Sequence, residues 1–334
     1  MKPVRIAQIG AGHDHASMTF RALLGQPDCF DVIGFASTDQ TTPVPDLYSA
    51  VPRFTIQQLL EMEELEAVAV ECEEREATAI AQQFAQRGVA VHMDKPGSQD
   101  LPAFERLIDT VIRNKTPFHL GYMYRYNPSV RHLFELVQSG ELGDIYSVEA
   151  QMSCGHPRRK RQWLAQFQGG MMFYLGCHLV DLVLRLQGEP LEILPMNMAT
   201  GIEDVTAEDF GFAVLRYANG VSFVKTCACE ENGYARRQLV VCGSKGSYEI
   251  KPFEVSQSTS SELISPTRVS FTKNNPNCKW TDLSEELDFG AYDRYDDMMR
   301  TFAEIVRGAE NAYTPEYELL LFRTVMKCCG VSQE

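Results

Sequence analysis

No run of about eighteen apolar residues occurs in the 334-residue chain, so no segment is expected to span a bilayer. Basic residues are scarce: 31 Lys and Arg stand against 45 Asp and Glu, a formal charge of −14. That deficit argues against general binding to nucleic-acid phosphates or to anionic membranes, and plain solubility accounts for it. Ten cysteines are present but no C-x-x-C. Cys72, Cys177, Cys227, Cys229 and Cys242 sit in apolar stretches and read as reduced core thiols. No metal site is expected, because His13, Asp14 and His15 are adjacent rather than set at ligand spacing. The reduced thiols lead to the expectation of a cytoplasmic protein, and the opening M-K-P-V-R-I enters a strand directly, without the apolar core and cleavage site of a signal peptide. No internal repeat or low-complexity tract is found. At 44% hydrophobic and 23% charged residues, the composition is that of a globular chain long enough for two domains.

The first half alternates strand and helix. Val4–Ile9 reads as a strand running into Gly10, Ala11, Gly12, His13, Asp14 and His15, then a helix over 17–24. Strand, G-x-G and helix form the setting of a dinucleotide turn, where Gly10 permits the bend and Gly12 the approach of a pyrophosphate. His15 occupies the place of the third glycine. A second strand, 31–36, ends in Ser37-Thr38-Asp39, with a serine where an NAD site usually carries an acid. Small hydroxyls there tolerate the extra phosphate of NADP, yet no Arg or Lys precedes Arg53 to neutralise it, so both cofactors stay open. A buried strand over 67–70 ends in the acidic run Glu71-Cys72-Glu73-Glu74. Acids that suit a helix dipole compete here with a cofactor-facing role for Glu71, Cys72 and Glu74.

The organising stretch is V-A-V-H-M-D-K-P-G over 89–97, a short apolar strand delivering Asp94 and Lys95 at its carboxyl end. Pro96 excludes helix at Lys95, and strand ends of this kind are where open α/β sheets bind ligands. A helix over 102–113 and a strand over 117–122 complete a parallel, doubly wound sheet.

From residue 122 the pattern changes. A helix over 129–139 is followed by long strands over 145–152, 210–217, 221–229, 238–242 and 247–250, with turn signals at Ala218-Asn219-Gly220 and over 243–246. These predict an α/β domain with a large, mostly antiparallel open sheet. A polar excursion is expected over 256–277, and closing helices over about 292–330. The expected domains are 1–121 and 122–334. Within the second, Tyr174, His178 and Asp181 stand at i, i+4 and i+7, one face of a helix, so that a carboxylate can orient an acid/base histidine. The only strongly basic cluster, Arg158 to Arg161 followed by Trp163, reads as a solvated loop or as a receptor for an anionic substrate group.

G-A-G in the first turn, M-D-K-P, R-Y-N-P over 125–128, Trp163 and the run G-G…G-C-H-L-V-D together resemble the Gfo/Idh/MocA oxidoreductases, in order and spacing, over nearly the whole chain. The resemblance implies a Rossmann domain followed by an α/β domain whose open sheet builds dimers or tetramers. It implies hydride transfer between NAD or NADP and a sugar, polyol or sugar acid. By position it makes Lys95 the active-site lysine and His178 the acid/base histidine; Arg125, Asn127, Arg161, Trp163 and Asp181 are the candidates for contact with a small-molecule substrate. Four departures stand out: Tyr174 replaces an aspartate, Cys72-Glu73-Glu74 with Ala77 replaces T-P-N-x-x-x-H, His15 replaces glycine, and Asp94 replaces glutamate. Tyr174 is a second candidate proton carrier. Two other outcomes fit the same fold: a redox-neutral lyase or glycosidase that restores its NAD, and a non-catalytic nucleotide-binding sensor.

Overall fold

The structure, a computed structural model, describes residues 2–38, 44–256, 263–265, 268–273 and 284–331. Asp39 and most of the expected polar excursion lie outside them. The chain forms two compact units, Met1–Met123 with Tyr295–Phe322, and Tyr124–Arg294 with Arg323–Glu334.

The first unit holds six strands: β1 (Val4–Ile9), β2 (Phe30–Ala36), β3 (Arg53–Phe54), β4 (Ala67–Val70), β5 (Ala90–Met93) and β6 (Phe118–Leu120). All are parallel, in the order β3-β2-β1-β4-β5-β6. Their connections are the helices α1 (Ala16–Gly25), α2 (Ile56–Glu61), α3 (Glu74–Gln86) and α4 (Leu101–Asn114). Every side chain of β4 is buried, as a strand covered by helices on both faces requires. Capping fixes the helix starts. Thr55 and Gln58 form a reciprocal capping box on α2, and Asp100 accepts from the Ala103 N–H on α4. Because the strand order reverses between β1 and β4, a crevice opens beyond their carboxyl ends.

The second unit opens with α5 (Pro128–Gln138), β7 (Ile145–Ser153), α6 (Arg158–Trp163) and α7 (Cys177–Gln187). Strands β8 (Glu192–Pro195), β9 (Phe210–Tyr217), β10 (Gly220–Cys227), β11 (Gln238–Gly243) and β12 (Gly246–Ile250) follow. Short strands end it: β13 (Val255–Ser256), β14 (Leu263–Ser265), β15 (Val269–Lys273), β16 (Glu285–Leu287) and β17 (Tyr292–Asp293). Eight of these make one sheet in the order β16-β15-β12-β11-β7-β10-β9-β8, antiparallel except where β7 meets β10. The Ala218-Asn219-Gly220 signal joins β9 to β10, with Tyr217 opposite Gly220.

The closing helices are α8 (Asp296–Val306) and α9 (Pro315–Cys328). They were expected in the second domain, but Tyr295–Phe322 belongs to the first unit. The reason is apolar burial: Phe302 lies against the rings of His92 and His119, and Phe322 stacks on Phe104 at 4.3 Å. Arg307 adds an ion pair to Glu66 at 2.9 Å.

Candidate active site

Gly10 ends β1 with φ +98°, and a Cβ there would stand 2.1 Å from the Glu71 carbonyl oxygen. Only glycine lets the first turn pass this close to the end of β4. Beside it is a cavity of about 120 Å3 lined by Gly10, Ala11, Gly12, His13, Ser37, Thr38, Cys72 and Glu73. These residues come from the carboxyl ends of β1, β2 and β4, so the cavity lies at the switch point of the sheet, where a dinucleotide fits.

Behind the turn is a cluster of opposed charges. His13 Nε2 lies 3.4 Å from Glu74 Oε1, His13 Nδ1 lies 3.5 Å from Asp94 Oδ2, and His15 Nδ1 lies 3.0 Å from the same Asp94 oxygen. Burial works against a charged His13, but the Glu74 hydrogen bond and the charges of Asp94, Glu74 and Glu71 outweigh it and raise the ring to about 9. Burial likewise opposes the Asp94 and Glu74 carboxylates. His15, Lys95 and His13 hold Asp94 well below the usual carboxylate range, and His13 with Lys95 does the same for Glu74. Lys95 follows β5 and is 1% exposed.

Glu71 departs from its expected role. Its carboxylate turns inward to His92 Nε2 at 3.3 Å, and His92 Nδ1 meets His119 Nδ1 at 2.7 Å, all three side chains buried. Only the Glu71 backbone faces the turn. The Glu74 carboxylate is committed to His13, while Cys72 lines the cavity.

In the second unit His178 lies on α7, 2% exposed, its ring edge-on to Tyr124 at 4.9 Å and 87°. Tyr124 is locked in turn. Its hydroxyl donates to Glu254 Oε1 at 2.7 Å, and Glu254 pairs with Arg237 and with Arg294 at 2.8 Å. Burial opposes the Glu254 charge, but Arg294 and Arg237 keep its carboxyl below the usual range.

The helix expected to carry Tyr174, His178 and Asp181 is not continuous. Met172–Gly176 is a π-helical turn, and the α-helix starts only at Cys177. The wider turn rotates Tyr174 relative to the simple i, i+4 face, and such turns recur at functional sites. Gly176 and Gly211 make the room, since a Cβ on either would meet Met172 within 3.0 Å. Tyr174 packs edge-on to Trp163 at 5.3 Å, and the Lys160 ammonium sits over both rings, 3.8 Å from Trp163 and 4.4 Å from Tyr174.

The residues expected to meet substrate are largely used internally. Arg125 donates to both Asp181 oxygens at 2.9 Å. Asn127 caps α5 by accepting from the Ser129 N–H at 2.9 Å. Arg161 donates to Asp209 Oδ2 at 3.1 Å and to the Ile202 carbonyl at 3.0 Å, and pairs with Glu203. A buried guanidinium neutralised by a carboxylate is a poor anion receptor. Of the basic cluster, Lys160 is the cation placed beside Tyr174. A larger groove of about 430 Å3, between residues 189–195 and the end of α9, includes none of the expected site residues.

Two profiles of one family account for most of the chain. An oxidoreductase profile with an NAD-binding Rossmann fold matches residues 4–122, and the GFO/IDH/MocA C-terminal domain matches 130–249. The chain belongs to the Gfo/Idh/MocA oxidoreductase family. Among solved structures it is similar to the UDP-N-acetylglucosamine 3-dehydrogenase of Acidithiobacillus ferrooxidans, with TM-score 0.78 and 16% identity over 99% of this chain and 98% of that one. It is also similar to a 3-ketoreductase variant of Actinomadura kijaniata in complex with TDP-benzene and NADP, with TM-score 0.73 and 18% identity over 97% and 96%. A search of curated protein sequences returned no match. As a member of this family the chain carries an NAD(P)-binding Rossmann domain. Its groups missed at the sequence level are Tyr124 and Glu254 behind His178, and Lys160 over Tyr174. Tyr124 stood next to the quoted R-Y-N-P run, but Glu254 lies in a stretch with no local signal.

Proposed function

We propose that the protein transfers hydride between a nicotinamide cofactor and the CH–OH or carbonyl carbon of a sugar, polyol or sugar acid. The observation that carries this reading is the crevice at the sheet switch point, with Lys95 at the end of a neighbouring strand of the same unit. The two solved neighbours, which share only the fold at this identity, are named as a UDP-N-acetylglucosamine 3-dehydrogenase and a 3-ketoreductase.

A bound nicotinamide supplies the hydride acceptor or donor. The chain supplies the rest. Imidazole exchanges protons near neutral pH, so His178 is assigned the substrate hydroxyl proton, with its ring held by the Tyr124 edge. Lys95 is assigned to stabilise the developing oxyanion. Tyr174, with the Lys160 cation over its ring, is the alternative proton carrier.

Ser37 and Thr38 line the cavity where NAD and NADP differ, and either cofactor fits this reading. Self-association into a homodimer or homotetramer is part of the proposal. It is supported by exposed Tyr146, Leu194, Met198 and Val221 along one end of the large sheet. Cytoplasmic residence is proposed from the cysteine pattern of the sequence; among the described residues no helix is long and apolar enough to cross a membrane. The deciding experiment is a fluorescence titration with NADH and with NADPH, followed by a screen of polyols, sugars and sugar acids. If neither nucleotide binds and denatured protein releases no nicotinamide, the reading fails.

A further inference from the structure

His13, Asp14 and His15 are neighbours in sequence, a spacing that argued against a metal. The turn after β1 changes that. It folds the two imidazoles toward one carboxylate, so that one ligand atom each from His13, His15 and Asp94 lies within 4.8 Å of the others. The two nitrogens that approach Asp94 Oδ2 are both Nδ1, at 3.5 and 3.0 Å. A tetrahedral ion with bonds of about 2.0–2.1 Å separates its ligand atoms by roughly 3.3 Å, so the two edges to Asp94 are near that spacing, and the edge between the imidazoles, at most 4.8 Å, closes onto the ion by rotation of the partly exposed His15 ring.

The surroundings also suit a cation. His13 presents its other nitrogen, Nε2, to Glu74 Oε1 at 3.4 Å. A carboxylate on the far nitrogen is how ligating histidines are held in one tautomer and orientation. Asp94, Glu74 and Glu71 all act electrostatically on His13, and Lys95 acts on Asp94 and Glu74. Two carboxylates, Asp94 and Glu74, therefore stand directly against the two imidazoles. His13, Glu74 and Asp94 are buried, and the His15 side chain is 20% exposed, which leaves a path from solvent.

We propose that His13 Nδ1, His15 Nδ1 and Asp94 form a three-ligand site for one divalent ion of the zinc class, with Glu74 orienting His13. Two nitrogens and one carboxylate oxygen select a borderline ion over magnesium or calcium. The remaining coordination positions go to water or to an oxygen of a molecule bound at the turn.

The test uses the intact chain without nucleotide, so its outcome is independent of the hydride-transfer reading. Metal-free protein is titrated with Co2+ for its absorption spectrum and with Zn2+ against a chelating dye for affinity. The expected result is one ion per chain, weak visible bands of nitrogen and oxygen ligation, and a loss of affinity of at least about 100-fold in His15→Ala. Glu74→Gln, which keeps all three ligands, is expected to weaken binding by about 10–100-fold. Circular dichroism and melting curves matching wild type confirm that both variants are folded. The proposal is overturned if no ion competes with the dye. It is equally overturned if His15→Ala binds as tightly as wild type, or if Co2+ shows the intense near-ultraviolet band of thiolate ligation.

Discussion

Arg125 and Asp181 meet through two parallel hydrogen bonds of 2.9 Å, both side chains about 2% exposed. One follows the first unit's last strand by a few residues, and the other stands on the helix of His178, so the pair ties the entry of the second unit to α7. A bidentate guanidinium–carboxylate pair in this setting is a structural clamp. Removing one partner strands the other charge in the interior. Asp181→Leu is expected to cost about 3–5 kcal/mol in denaturant unfolding, and Arg125→Met with Asp181→Leu to recover most of that loss. A double variant no more stable than the single ones would show that the two residues act separately.

Gly10 offers a test confined to the nucleotide turn. Ala at this position brings both a strained positive φ and a collision with the Glu71 carbonyl. Gly10→Ala is expected to weaken NADH or NADPH binding by at least about tenfold, equivalent to 1.4 kcal/mol. Unchanged affinity in the fluorescence titration would detach the turn from nucleotide binding.

Substitution of the proton-handling and oxyanion groups separates chemistry from binding. His178→Ala and Lys95→Met are each expected to lower kcat by about 10²–10⁴-fold while the nucleotide dissociation constant stays within about twofold. Tyr174→Phe distinguishes the two proton carriers: a loss as large as that of His178→Ala assigns the proton to the phenol. Wild-type turnover in the first two variants would refute the assignment.

Acid sensitivity follows from Glu254. Its carboxyl is held below its ordinary value in the folded chain, first against burial and then by Arg294 and Arg237. A depressed folded pKa means that the stabilisation is complete above the unfolded pKa, near 4.3, and is lost as pH falls below it. Stability measured by urea unfolding is therefore expected to drop from about pH 5 downward, and Glu254→Gln to start lower and show a shallower drop. A parallel decline in both proteins would assign the acid transition to other carboxylates.

Four buried cysteines are expected to be inert in the folded chain. Burial pushes Cys328 up to about 12 and Cys154 up to about 11, and it raises Cys72 and Cys329 as well. Thiolate is the reactive form, so alkylation at mildly alkaline pH should spare these four until the chain is unfolded. Mass spectrometry of labelled peptides reads the result directly, with rapid labelling of Cys328 or Cys154 as the contrary outcome.

The alternation of strand and helix, the G-A-G turn and the lysine before Pro96 were legible because each rests on a local rule of spacing or dihedral restriction. The hairpin at Asn219-Gly220 was legible for the same reason. What escaped depends on contacts distant in sequence. Arg161 reads as an exposed cation until Asp209 is seen to take it, and Glu71 reads as cofactor-facing until His92 draws it inward. The π-helical turn at Tyr174 has no period that distinguishes it from an α-helix over five residues. It arises where β9 and β10 supply Gly211 and Thr226 against Met172 and Gly176. The approach of His13 and His15 to one Asp94 oxygen has no spacing signal because a turn, not a helix or strand, brings them together.

The return of Tyr295–Phe322 to the first unit has a consequence for biosynthesis. The nucleotide-binding half is the first to leave the ribosome, yet the helix that covers His92 and His119 is made only after all of Tyr124–Arg294. Until α8 arrives, part of the apolar surface of that half stays open to solvent and to chaperones. The second unit, lacking only its short C-terminal piece, can assemble in the meantime. In this chain the half whose synthesis begins first waits for a helix made after nearly all of the other half.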